Sequence, residues 1–346
     1  MAAVAMIVTV AAGLFVAASV PDAAPSFRLI GEPIVGDPRW AGAVAVTESN
    51  GRTVAIVAHG DQAQVWDLSA GKRIGTAFDD GRSDAFIDAL AVGSMNGRQF
   101  VASGGGGDPI RMWDLASGEE IGDFVGVGSS IALGQVNGKP IAVAGDQAGR
   151  VGVWHLGAGR LPDTMLVGHR RAVYAVALGQ LGGRMIAVSG GNDRTVRVWD
   201  LTTGKQLGNE LTGHTDYVFS VATGQLDGKT IAVSGSKDGT LRVWDLAAGK
   251  QLGDPLTGHT ADVRSVAVGQ LHGKTIAVSG SKDGTLRVWD LATGKQLGDP
   301  LTGHTAEVRS VAVGQLHGET IALSAGSDDG TVRVWGLGPA TEPSNG

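Results

Sequence analysis

At four places the chain sets His, Ser, Asp and Trp at fixed intervals: His169, Ser189, Asp193 and Trp199; His214, Ser234, Asp238 and Trp244; His259, Ser279, Asp283 and Trp289; and His304, Ser324, Asp329 and Trp335, where one extra residue enters the turn. Ser, His and Asp are the parts of a hydrolytic triad, in which His takes the proton of an attacking Ser and Asp orients the His. That chemistry requires a hydroxyl open to substrate beside an oxyanion hole. The accompanying Trp points to a different use. An indole N–H can only donate and needs an acceptor when buried, Ser can accept it while donating to His, and Asp can accept from the other imidazole nitrogen. Four copies of one constellation argue for architecture. The residues therefore predict structural hydrogen-bond quartets that each tie three strands and a loop together, and no catalytic residue.

The elements that position these quartets are read from an internal repeat. Thr212 to Leu256 recurs with few changes from Thr257 to Leu301, a period of 45 residues. Seven of the eight Trp are in phase, at Trp66, Trp113, Trp154, Trp199, Trp244, Trp289 and Trp335; Trp40 alone is not. An independent marker, a turn-former followed by Gly, also counts seven units, at Gly51, Gly97, Gly138, Gly183, Gly228, Gly273 and Gly318. Within a unit, runs such as SVAVG, TIAVSG, TLRVWD and KQLGDPL are separated by turn residues, the mark of short strands joined by hairpins. No sustained helical period is present, so the class is all-β with four strands per unit.

On these residues the chain resembles the WD-repeat β-propeller family, whose period and Gly-His to Trp-Asp signature it shares over residues 27–337. The signature is complete in units four to six: Gly168-His169 to Trp199-Asp200, Gly213-His214 to Trp244-Asp245, and Gly258-His259 to Trp289-Asp290. Unit seven ends Trp335-Gly336, unit three ends Trp154-His155, and units one to three lack Gly-His, so the early units are expected to be held less rigidly. Phe27 to Gly36 matches the fourth strand of a unit, and no such strand follows Trp335. The expected fold is thus a seven-bladed β-propeller of four-stranded antiparallel blades, closed when residues 27–34 supply the outer strand of the last blade.

The four strands of a unit are lettered a to d from the inner to the outer. Up-and-down strands put the a-b and c-d turns at one end of the ring and the b-c and d-a loops at the other, and the d-a end varies where the rest repeats. The position three residues after the Gly-His histidine reads Trp40, Phe86, Val127, Ala172, Tyr217, Asp262 and Glu307; two further on come Gly42, Asp88, Ser129, Tyr174, Phe219, Arg264 and Arg309. By resemblance this end is a protein-docking surface, and aromatic and Arg residues make interface anchors. The candidate partner-binding residues are Trp40, Phe86, Asp88, Tyr174, Tyr217, Phe219, Asp262, Arg264, Glu307 and Arg309. The competing reading is blade-to-blade packing. The other end carries a cation beside most turn glycines: Arg52, Arg98, Lys139, Arg184, Lys229 and Lys274 on a-b turns, and Lys72, Arg160, Lys205, Lys250 and Lys295 on c-d turns. Such a patch can attract anionic lipid or nucleic acid locally, against a default of solvated turn lysines.

Composition narrows the remaining options. With 56 Gly in 346 residues and no Cys, the chain has many turns, no disulfide, no thiolate metal site and no Cys nucleophile. A net charge of -6 disfavours general attraction to nucleic acid. Asp37, Asp84 and Asp88 are too scattered for an acid and base pair, and His59, His155, His272 and His317 lie singly without metal-ligand spacing. No cofactor and no metal are therefore expected. Met1 to Val20 has no charged side chain and would span a bilayer core as a helix. It reads as an uncleaved membrane anchor, with a secretory signal or the remnant of a longer membrane protein as alternatives, followed by a linker at residues 21–26. Arg28, the nearest cation, favours a cytoplasmic propeller. Residues 338–346 read as a disordered tail, and the propeller as a monomer. The function these features imply is a non-catalytic protein-interaction scaffold. The alternatives are a small-molecule sensor or propeller enzyme using the central channel, or docking of lipid or nucleic acid on the basic end.

Overall fold

The computed structural model describes residues 27–35, 41–79, 86–105, 109–124 and 130–338. The anchor at residues 1–20, the linker at 21–26, Trp40, Asp37, Asp84, Val127, Ser129 and the tail beyond Gly338 lie outside the described residues. Seven antiparallel sheets form seven blades. The first runs Ala41–Ser49, Arg52–His59, Gln62–Asp67 and Lys72–Asp79 from its inner to its outer strand. The inner strands that follow are Ala89–Met95, Ile131–Val136, Val173–Leu181, Val218–Leu226, Val263–Leu271 and Val308–Leu316. Each lies beside the next, and the last lies beside the first, so the ring is closed.

Local sequence explains the blades. Inner and second strands join through Asn-Gly, Asp-Gly, His-Gly or Gly-Gly pairs, in which both residues take positive φ: 51° and 73° at Asn50-Gly51, 49° and 79° at His272-Gly273. That is the two-residue turn whose twist suits a hairpin. At the middle of the inner strands, glycine sets the spacing between blades. A Cβ on Gly224 would stand 2.6 Å from Val268 of the next blade, and one on Gly269 would stand 2.5 Å from Val313. Blades are also clasped by hydrogen bonds repeated at successive seams. The Val266 amide donates to Ser220 Oγ at 3.0 Å and Val311 to Ser265 at 3.0 Å, while Thr320 Oγ1 donates to the Gln270 carbonyl at 2.8 Å.

The closing seam uses the same clasps, Val44 to Ser310 Oγ at 3.2 Å and Thr53 to the Gln315 carbonyl at 2.9 Å. Blade seven takes its outer strand from the N-terminal side, as expected, but in two pieces. Arg28–Leu29 and Ile34–Val35 both pair with Thr331–Gly336, interrupted at Gly31, whose φ is 65°. Glycines 75, 253 and 298 bulge their outer strands, at φ of 61° to 68°. In blade four only Lys205–Gln206 and an isolated bridge at Leu211 remain of the outer strand.

The closing strand also changes the surroundings of Gly336, where unit seven ends Trp335-Gly336. Arg28 forms a two-pronged ion pair with Glu319, 2.6 Å and 2.7 Å. A Cβ on Gly336 would lie 2.8 Å from Arg28 Nη1 and closer still to Glu319. In blades one, four, five and six the residue in the place of Glu319 is a cation paired with the Trp-Asp aspartate: Arg52 with Asp67 at 3.2 Å, Arg184 with Asp200 at 3.4 Å, Lys229 with Asp245 at 3.6 Å, Lys274 with Asp290 at 3.8 Å. At closure the charges are exchanged between strands, and the aspartate is gone.

Candidate functional site

All four predicted quartets are present. His214 Nδ1 lies 2.8 Å from Asp238, its Nε2 lies 2.8 Å from Ser234 Oγ, and Trp244 Nε1 donates to the same Oγ at 2.8 Å. The other three quartets repeat these contacts at 2.7 Å to 2.9 Å, including His304 with Asp329 across the longer turn. Burial opposes ionisation of Asp238. Hydrogen bonds from His214, Thr240 and the Thr215 amide outweigh it and hold the carboxyl well below the usual carboxylate range. Asp193, Asp283 and Asp329 are lowered in the same way. An ionised Asp accepts Nδ1–H, which leaves Nε2 to accept the Ser proton. The arrangement has the polarity of a hydrolytic triad but is sealed. Ser189, Ser234, Ser279 and Ser324 are 0% exposed, and each hydroxyl oxygen is already occupied by an indole N–H. These hydroxyls are closed to solvent, and each quartet links its strands and loop through hydrogen bonds.

The first three blades are finished differently. Trp113 keeps a Ser acceptor, Ser103 at 2.9 Å, and stacks on Phe78 with ring centroids 5.9 Å apart. Trp66 Nε1 and Trp154 Nε1 are buried without a hydrogen-bond partner. Val57 and Ala144 stand in those blades where the Ser would be.

At the b-c and d-a end, most of the candidate partner-binding residues come together. Tyr174, Tyr217 and Phe219 form an aromatic cluster, with ring centroids 5.7 Å to 6.2 Å apart. The Arg264 guanidinium lies over the Phe219 ring, 4.5 Å from its centre. The same Arg264 pairs with Asp262 at 3.2 Å and Glu307 at 3.3 Å, Glu307 pairs with Arg309 at 3.4 Å, and Arg309 reaches Asp88 at 3.8 Å. Gly42 is the counterpart in the blade between Arg309 and Asp88, and it has no side chain to stand between them. The result is a continuous arc, from blade four through five, six and seven to blade two, of half-buried groups that order one another. Phe86 is exposed, at 45%.

Two members were missed from the sequence. Lys237 lies over Tyr217 at 4.8 Å from the ring centre, and Asn192 donates to Tyr174 Oη at 3.2 Å. Both sit on b-c loops, which the strand order sends to this same end; reading those loops in register beside the d-a positions would have found them.

The opposite end is less cationic in effect than in sequence. Arg52, Arg184, Lys229 and Lys274 pair with the Trp-Asp aspartates of their own blades, and Arg160 pairs with Asp123. Among the described residues no group of three or more His, Asp or Glu could hold a metal ion. Among them, too, no helix is long and apolar enough to cross a membrane.

The family model described as WD domain, G-beta repeat matches residues 161–200, 204–245, 249–290 and 294–336, the four segments that carry complete quartets. No curated protein matches the chain.

Proposed function

Starting from a chain that belongs to the WD-repeat β-propeller family, a fold typical of protein-interaction scaffolds, we propose that it docks protein partners on the arc at its b-c and d-a end. One observation carries this reading: positions that differ between otherwise near-identical repeats meet in space as one contiguous surface. Blades five and six differ most sharply at Tyr217 against Asp262 and Phe219 against Arg264, and these four side chains form the middle of the arc. Packing alone would be served by the same residue in each blade. Aromatic rings and guanidinium groups held by neighbours bind at low cost in side-chain ordering, which is what hot-spot anchors require.

The test begins with peptides selected from a displayed library on the intact protein. Tyr217→Ala with Arg264→Ala should keep the melting temperature near that of the parent and weaken the selected peptides by about tenfold or more. Lys250→Ala with Lys295→Ala, at the other end, should leave binding unchanged. Equal binding by both variants would remove the arc from consideration.

We further propose that the uncharged segment Met1–Val20 tethers the propeller to a membrane. Phe27 and Arg28 sit at the a-b and c-d end, so a tether there directs the arc away from the bilayer. Recovery of intact protein in the soluble fraction, or a mature N-terminus near Val20, would refute this.

A further inference from the structure

One of the seven seams between blades is built without its plug. At the turn end of six inner strands stand Met95, Val136, Leu181, Leu226, Leu271 and Leu316, each packed into the core it shares with the next blade. Leu226 shows the pattern: it lies in one cluster with Ile231, Val243, Leu252 and, from the following blade, Leu291. The first blade has Ser49 at this position. The counterparts of those four neighbours, Val54, Val65, Ile74 and Leu115, instead line a cavity of about 280 Å³, together with Ser49 and Arg52. Three of the four are at most 8% exposed, so the floor is a formed apolar surface and no loose surface patch.

We infer that this seam is a socket for one leucine- or methionine-sized side chain presented by a peptide partner. The occupant is defined by the protein's own solution at the other seams, where Leu or Met fills the equivalent space at five and Val136 at the sixth. An apolar floor holds water poorly and favours apolar surface in its place. The rim is suited to a peptide backbone. Asn50, Gly75, Thr76 and Ala116 surround the cavity and are exposed. Arg52 gives one nitrogen to Asp67, while its side chain remains 60% exposed and keeps donors for a carbonyl or a flanking carboxylate. A free aliphatic solute would leave these groups unused. The socket lies at the end of the ring opposite the aromatic arc, and it stands or falls independently of that surface.

The probe is a capped Glu-Leu-Glu tripeptide, with Glu-Ala-Glu and isobutanol as comparisons, titrated into the full chain while methyl NMR signals are followed. Saturable shifts at Val54, Val65, Ile74 and Leu115 are expected, with the Leu peptide binding about tenfold or more tighter than the Ala peptide. Ser49→Leu should raise the melting temperature and abolish the shifts; Ser49→Val, the choice closest to Val136, serves if the larger residue does not fold. Four results overturn the inference: no shift, equal shifts from both peptides, shifts that survive in a folded Ser49→Leu, or saturation by isobutanol without binding of the Leu peptide.

Discussion

Replacing Ser234 by Ala, and separately Ser103 by Ala, measures what the His adds to a quartet. The two serines occupy the same place in blades five and two, and each accepts from a Trp indole, at 2.8 Å and 2.9 Å. Only Ser234 also donates to a buried His. Removing either hydroxyl changes little volume, so the cavity contribution is small and the cost is that of the groups left unpaired. A buried polar group without a partner costs about 1–3 kcal/mol. Ser103→Ala strands one such group, Trp113 Nε1. Ser234→Ala strands two, Trp244 Nε1 and His214 Nε2, and should cost about 2–6 kcal/mol, a gap of about 1–3 kcal/mol between the variants. Denaturant unfolding followed by Trp fluorescence reads both numbers from the shift in midpoint. Equal costs, or a larger cost for Ser103→Ala, would refute the claim that the His link contributes to holding the blade. A loss of peptide binding at unchanged stability would show that the quartet acts in recognition instead.

Ala144→Ser should supply the acceptor that Trp154 Nε1 lacks and raise stability by about 1 kcal/mol, visible as a higher melting temperature; a drop would mean that blade three has no room for the hydroxyl. Glu319→Lys sets two cations against each other at the closing strand and should destabilise by about 1–2 kcal/mol, with Arg28→Glu added to it restoring most of the loss. Failure of the double variant to recover stability would deny the pair its role. The four quartet carboxylates have folded pKa values below their unfolded ones, so their stabilisation is complete above about pH 4 and is lost as pH falls further. Burial likewise keeps His304 below its ordinary value, which removes stability as pH drops below about 6.5. Both effects act in one direction, and a melting temperature that stays flat from about pH 7 to about pH 2.5 would contradict them.

The phased Trp residues and the turn glycines made the seven blades legible, because a 45-residue period maps directly onto one blade per repeat. The quartets were equally legible, since spacing within a repeat becomes geometry within a blade. What crosses from one blade to the next was not. Periodicity aligns Arg264 with Phe219, but says nothing of whether one reaches over the other, or that Arg309 reaches Asp88 past the blade of Gly42. The cations of the turn end looked like a free patch because a repeat written as a line does not show that residue 229 ends beside residue 245. Ser49 was in plain view, yet a Ser at a strand end draws no notice until the leucines at its equivalents are seen to be buried.

The ion pair that fastens the closing strand has a consequence for timing. Residues 28 and 319 are 291 positions apart, so the first described strand to be synthesised is the last to find its partner. During translation blades one to six can assemble from local hairpins, each close in sequence. Residues 28–35, in contrast, must wait for Thr331–Gly336 before either edge is covered. Until then the growing protein is an open crescent with an unpaired strand at each end, the state in which two copies could exchange strands with one another.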